Sequence, residues 1–383
     1  MASAFSFGFS GDDIDIDVDE NEVNNATETN IQEAGASTLP ELVKAQKHEI
    51  DEWLSTLPSQ ISYSTCIISP AKDGAAGPST STGNGIATVT VARRDVFDIR
   101  AQLMVEDSAE EQNGELIAGL EKGDITPNFY EGGFKTWECS IDLGTLVIGE
   151  GVGLGNQDGH VVELGSGTAV PSLALFAQLL AEAETTPTSA GKRRMHFTFA
   201  DYNSAVLRLV TLPNLLLTWN YFITHGNPTP TSDDPAEDNA EGQDEMLDIT
   251  PELLERFRAD LAHRGITVSF ISGAWSPSFV DLVFSTPELA GYKTLVLASE
   301  TIYSPASLLA FSDTLLALLL RSESGGSRAL VAAKKVYFGV GGGVNEFLAV
   351  LRDVAGAEVG VEERMDVKSA GVGRIILEVR ASQ

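Results

Sequence analysis

The chain is short of positive charge. Over 383 residues, 25 Lys and Arg stand against 55 Asp and Glu, a net charge of -30 at pH 7. Such a field repels phosphate backbones, so no direct nucleic-acid binding is expected; it attracts a basic protein and favours solubility. Cysteine is almost missing. Cys66 and Cys139 are the only two, which excludes a disulfide framework and points to a reducing compartment, the cytoplasm by default. Long apolar runs are missing as well: Leu308 to Leu320 is broken by Ser312, Asp313 and Thr314, so no membrane span is expected. No basic stretch followed by an apolar one opens the chain, so no signal peptide is expected either. The five histidines, His48, His160, His196, His225 and His263, lack metal-ligand spacing, and no metal is expected. What is present is 43% hydrophobic residues, enough for a large buried core, in a length that suits two or three domains.

The acids are clustered. Residues 11–33 hold nine and residues 228–248 hold eight, neither segment with any Lys or Arg. Both read as disordered, since they offer too little apolar surface to offset ordering entropy. The first follows Phe5-Ser6-Phe7-Gly8-Phe9, a short docking motif or a flap onto the chain's own domain. The expected organisation is an acidic tail over 1–38, an extension over 39–130 and a main domain over 131–383 interrupted by the insertion at 228–248. Within the extension, Leu39, Leu42, Val43, Ile50, Trp53 and Leu54 recur at helical spacing and Pro58 stops the run, which predicts a helix over 39–57. Residues 69–86 read as a loop, and 86–91 and 96–105 as strands.

From residue 133 strands alternate with helices. Strands are predicted at 160–164, 196–201, 266–271, 294–299 and 329–338, and helices at 170–183, 205–221, 250–264, 305–321 and 344–355. Two closing strands, near 357–363 and 373–380, form an antiparallel edge hairpin. The alternation predicts an α/β fold, a Rossmann-like doubly wound sheet of seven strands with an N-terminal α+β extension.

The chemistry sits where these strands end. Glu163-Leu164-Gly165-Ser166-Gly167 lets backbone approach a ligand in front of a helix N-terminus. The third glycine of a dinucleotide motif is replaced by Val170, and an acid before the first glycine suits a ligand with an ammonium group better than a pyrophosphate. A plain strand-to-helix turn is the alternative. Asp201, before Tyr202 and Asn203, suits two ribose hydroxyls or a helix cap. Gly273 and Trp275 follow the third strand, where an adenine ring would lie, although a core tryptophan reads equally well. Ser299-Glu300-Thr301-Ile302-Tyr303 ends the fourth strand at the switch point of the sheet. Gly341-Gly342-Gly343 after the fifth strand suits close approach of a substrate chain or a flexible loop.

Those strings, together with Lys135-x-Trp137-Glu138-Cys139-x-x-Asp142-Leu143 and Tyr337-Phe338-Gly339-Val340-Gly341, resemble the histidine protein methyltransferases, a branch of the seven-strand S-adenosylmethionine-dependent enzymes. The resemblance covers about residues 130–380. It implies transfer of one methyl group from S-adenosylmethionine to an imidazole nitrogen of a histidine, in a basic protein of the large ribosomal subunit, with nuclear as well as cytoplasmic location. By the same carry-over Thr136, Trp137, Glu138, Cys139, Glu163, Gly165, Gly167, Asp201, Tyr202, Asn203, Gly273, Trp275 and Ser299 contact the cofactor. Glu300, Tyr303 and Asn345 are the candidates for holding the substrate. The rivals are a lysine methyltransferase of the same fold and an acidic escort for a basic ribosomal protein.

Overall fold

The computed structural model describes residues 43–70, 88–106, 132–150, 157–185, 193–226, 245–322, 326–337, 341–356, 359–368 and 371–381, all within one compact unit of residues 42–383. The Phe-rich start, the acidic run at 11–33, most of the loop at 69–86, residues 228–244 of the insertion and Phe338 to Val340 lie outside the described residues.

The strands are β1 (Gln46–His48), β2 (Gln60–Ile68), β3 (Val89–Arg94), β4 (Gly159–Leu164), β5 (Met195–Asp201), β6 (Glu245–Asp248), β7 (Ile266–Ser272), β8 (Lys293–Ser299), β9 (Arg328–Lys334), β10 (Val359–Val367) and β11 (Arg374–Ala381). Eight form one sheet in the order β1-β7-β5-β4-β8-β9-β11-β10. The five from β7 to β9 run parallel; β1, β11 and β10 pair antiparallel. Every residue of β4 and β5 is buried, as both faces of a parallel sheet are covered by helices. The chain leaves β4 toward β5 and β7, then returns to β8 on the other side of β4. The topological switch point is therefore the carboxyl end of β4 and β8, where open α/β sheets bind ligands.

The helices are α1 (Ile50–Leu54), α2 (Val96–Glu106), α3 (Glu138–Glu150), α4 (Val170–Thr185), α5 (Ser204–His225), α6 (Pro251–Arg264), α7 (Pro277–Val283), α8 (Leu308–Arg321) and α9 (Val344–Ala355). Leu143, Leu173, Phe176, Leu215, Trp219 and Phe257 of α3 to α6 close one face of the sheet; Phe279, Phe311 and Phe347 of α7 to α9 close the other. By length and composition α5 could cross a membrane, but 78% of its apolar window is buried inside the fold.

Four expectations need correction. Of the helix predicted over 39–57, residues 39–42 lie outside the described residues and the rest holds instead a strand and a short helix, because β1 finds the open edge of β7: His48 pairs with Phe270, and the Ala274 amide donates to the Val43 carbonyl at 2.8 Å. Only Ile50–Leu54 stays helical, burying Trp53 and Leu54. The added strand makes the sheet eight-stranded. Residues 96–105 are helical rather than extended. Ile99 and Leu103, four apart, are both fully buried, and Gln102 donates to Glu106, at the same spacing within the helix, at 2.8 Å. Finally, the end of the acidic insertion is ordered. β6 pairs with β2, which also pairs with β3 in a separate three-stranded sheet. The acids of β6 are accommodated there by Tyr63, which donates to half-buried Glu245 at 2.5 Å, and Gln60, which donates to exposed Asp248 at 2.9 Å. The fifth strand is also shorter than expected, ending at Lys334.

Candidate active site

At the switch point the glycine loop after β4 is held from several sides. The Ser166 amide donates to Ala200 at 2.8 Å. Thr211, in a π turn of α5 (Leu207–Thr211), donates to the Gly167 carbonyl at 2.7 Å, and Asn214 to that of Thr168 at 3.1 Å. Gly165 and Gly167 have φ of +63° and +48°, a region open to glycine. A Cβ on Gly165 would lie 2.8 Å from the Thr301 methyl, so the loop after β4 touches the loop after β8. A Cβ on Gly167 would lie 3.1 Å from the Gly133 backbone, and Thr136 donates to Thr168 at 3.1 Å. The segment before α3 thus closes over the same loop.

Asp201 ends β5. Its buried carboxylate accepts the Gly167 amide at 3.1 Å with one oxygen and the Asn203 amide at 3.1 Å with the other. Beside it, Gly273 donates its amide to the Asp201 carbonyl at 3.1 Å, and a Cβ there would meet the Lys44 carbonyl at 2.7 Å. Tyr202 and Asn203 are half-buried. Trp275 is half-buried, its ring 5.1 Å from that of Phe311. Glu163 is buried behind the glycine loop and accepts the Ser172 amide of α4 at 3.1 Å. Burial, reinforced by the Asp201 charge, pushes its carboxyl up to about 8, so it is mostly neutral at pH 7.

A second cluster gathers at the ends of β8 and β9. Ser299 is half-buried, and Glu300 has φ of +56°, its amide donating to Ala332 at 2.9 Å. Tyr337 donates its hydroxyl to Glu300 Oε2 at 2.6 Å and accepts the Lys334 amide at 3.2 Å. Lys334 Nζ lies 3.5 Å from Glu300 Oε1 and 4.6 Å from the centre of the Trp137 ring. Burial, then the Glu300 charge, raises both the Tyr337 hydroxyl and the Cys139 thiol, which therefore stay protonated. Cys139 is fully buried, whereas Glu138 is exposed, 3.7 Å from Arg374. Tyr303 stands 6.3 Å, ring to ring, from Tyr337. A Cβ on Gly342 would lie 2.2 Å from the Tyr303 carbonyl, so the glycine strip packs on the same loop; Asn345 is exposed just beyond it.

The two clusters therefore share one crevice, joined through Gly165 and Thr301. Thr301 Oγ1 and Asn203 Nδ2 are buried there without a hydrogen-bond partner among the described residues, and buried polar groups ordinarily have one. Unpaired polar atoms, a carboxylate and a glycine cradle suit S-adenosylmethionine, with its hydroxyls, base and amino-acid end. Sequence reading missed Lys334 and the roles of Thr301 and Tyr337. The dipeptide Lys334-Lys335 at the end of a predicted strand was the one available signal.

No protein-family model matches the chain. It is similar to Histidine protein methyltransferase 1 of Saccharomyces cerevisiae, 38% identical over 272 residues that cover 70% of each chain. It is similar to Histidine protein methyltransferase 1 of Schizosaccharomyces pombe, 35% identical over 349 residues, 91% of this chain and 84% of that one. Among solved structures it is similar to magnesium protoporphyrin IX methyltransferase of Synechocystis PCC 6803 with bound SAH, at 11% identity and a TM-score of 0.33, over 63% of this chain and 83% of that one.

Proposed function

This chain belongs to the histidine protein methyltransferase family, and from that premise we propose that its substrate is a basic protein of the large ribosomal subunit, modified in the cytoplasm or the nucleus. The chain is an enzyme that methylates a histidine side chain in a protein, with S-adenosylmethionine as methyl donor. The net charge of -30 supports a basic substrate.

When bound, the donor supplies a methyl carbon activated by its sulfonium centre. Neutral imidazole is already a competent nucleophile, with an ordinary pKa of about 6.5. No strong base is needed, and orientation carries the catalysis, worth about 7–11 kcal/mol where it is good. In this reading Asp201 accepts the ribose hydroxyls, and the backbone at Gly165 and Gly167 approaches the sugar and the amino-acid end. Thr301 and Asn203 give their open polar atoms to the same ligand. Gly273, Tyr202 and Trp275 line the base side; Thr136, Trp137 and Ser299 line the methionine side. Glu163 and Cys139 hold the walls from behind, and Glu138 anchors the first turn of α3 to Arg374. Glu300, Tyr303 and Asn345 receive the target histidine. A carboxylate near its far ring nitrogen selects the tautomer and stabilises the positive charge that develops on the ring.

One observation carries this reading: the Gly165 loop, the Asp201 carboxylate and the Glu300 cluster meet at a single switch point. The test is transfer of tritiated methyl groups to unmethylated large-subunit ribosomal proteins, followed by amino-acid analysis. The expected result is label in methylhistidine for the wild type and at least a tenfold loss for Asp201→Ala, as removing hydrogen bonds to a charged group costs about 1.5–3 kcal/mol each. Label in methyllysine would install the lysine rival. Equal label with both proteins would leave the escort.

A further inference from the structure

Lys334 sets an ammonium group beside the carboxylate that receives the target histidine. Its Nζ lies 3.5 Å from Glu300 Oε1 and 4.6 Å from the centre of the Trp137 ring. The two side chains are only 17% and 10% exposed. A pair this desolvated is a weak source of stability, because the cost of leaving water offsets most of the attraction. Several contacts nonetheless fix it. Tyr337 donates to Glu300 Oε2 at 2.6 Å and accepts the Lys334 amide at 3.2 Å. Glu300 is held at a φ of +56°, a strained conformation of the kind that clusters at functional sites.

That charge matters to a bound histidine. A carboxylate within about 4–6 Å raises the pKa of an imidazole by about 1–3, from an ordinary value of about 6.5. Beside an unpaired Glu300 the target ring would be imidazolium at pH 7, its lone pair taken by a proton and unable to attack the sulfonium methyl. An ammonium group on the same carboxylate cancels most of that field. The remaining groups around the pair are neutral or matched to one another. From α3 come Cys139, whose thiol stays protonated, and Asp142. From β11 comes Arg374, the cross-strand neighbour of Lys334, 2.5 Å from Asp142 and 3.7 Å from Glu138. The segment after β9 brings Tyr337, also protonated, and Lys335, drawn to Asp366 at 2.7 Å. The loop after β8 brings Tyr303. Lys334 is thus the cation assigned to Glu300.

We infer that Lys334 is a positioning residue of the reaction: by neutralising Glu300 it keeps the bound target imidazole uncharged and nucleophilic while the carboxylate orients the ring. The inference rests on the reading that Glu300 receives the histidine, and adds to it the charge state in which the ring is held. The test follows methyl transfer in a single turnover from pH 5 to 9, with enzyme and S-adenosylmethionine in excess over acceptor, and counts methylhistidine by amino-acid analysis. The acceptor is total protein from cells in which the gene is deleted, so the outcome does not depend on the ribosomal reading. The acid limb of the rate then reports the ring in the bound complex. Lys334→Met is expected to raise the midpoint of that limb by at least about one pH unit, whatever it does to the plateau. Lys334→Gln is expected to give the same shift and serves where the methionine variant is unstable. Lys334→Arg, which keeps the charge and stacks on an aromatic ring, is expected to leave the midpoint within about 0.3 of the wild type. A merely structural lysine lowers the plateau and leaves the midpoint in place. An unmoved midpoint in the neutral variants, or an equal shift in Lys334→Arg, would overturn the inference and leave the methyltransferase reading standing. No methylhistidine from the wild type would overturn both.

Discussion

The amino half of the main sheet and its carboxyl edge are made from the same strands, yet they treat buried polar groups differently. In the amino half, His160 lies 2.8 Å from Thr198, His196 lies 2.7 Å from Thr267 and 2.9 Å from Ser269, and Thr198 lies 3.1 Å from Ser269. Those partners are lateral neighbours on adjacent strands, and the network serves packing. At the carboxyl edge the strands stop and lateral partners run out. Asp201 and Glu163 turn to loop and helix amides instead, and Thr301 and Asn203 keep open atoms. Among the described residues, the two non-glycine residues with positive φ, Ala169 and Glu300, are both there. Strain marks the end of the sheet that binds; buried polar atoms without a partner among the described residues occur in both halves, His160 Nδ1 and Thr294 Oγ1 in the amino half as well as Thr301 Oγ1 and Asn203 Nδ2 at the carboxyl edge.

The comparison is sharpest in its pH dependence. Glu163 keeps its proton in the folded chain up to about pH 8, whereas its ordinary value is 4.5. The native state therefore holds more protons than the unfolded one between those limits. Stability falls as pH rises through that window, by as much as about 5 kcal/mol. Glu163→Gln is expected to flatten that fall in urea midpoints measured from pH 5 to 8.5; an unchanged slope would break the picture of a neutral carboxyl behind the loop. The amino half behaves oppositely. Burial lowers His196 to about 4 and His160 well below its ordinary value. Here the unfolded state binds more protons, so stability falls as pH drops from about 6.5 toward 4. His196 contributes about 3 kcal/mol of that loss. His196→Gln, which retains hydrogen-bonding atoms, should remove this share from the acid limb of the same titration.

A smaller contrast tests strain. Ala169→Gly should raise stability by about 1 kcal/mol, because glycine accepts a φ of +57° without the Cβ penalty. Ala329→Gly, fully buried in the amino half of β9, should lower stability by about the same amount through chain entropy and lost packing. Thermal midpoints moving the same way for both would deny that strain is confined to the carboxyl edge.

How far the sequence could be read follows from the same division. Strands β4, β5, β7, β8 and β9 were legible because a strand buried on both faces reads as a continuous apolar run between glycines and acids. The helix at 344–355 matched residue for residue. Residues 39–57 and 96–105 misled because a short apolar pattern suits helix and strand alike until a neighbour decides. β1 was decided by the open edge of β7, some 220 residues away in the chain, and α2 by burial of Ile99 and Leu103 against Phe134 and Val206.

By itself the sequence determined the doubly wound core and the residue types of the crevice. Local periodicity, glycine and carboxylate chemistry all lie within a few residues of one another, and short-range rules suffice to read them. Only the tertiary structure decided that Lys334 faces Trp137 and Glu300, and that Glu163 is held neutral behind the loop. Each of these depends on burial and on partners brought together from distant strands, and neither quantity exists until the sheet has closed.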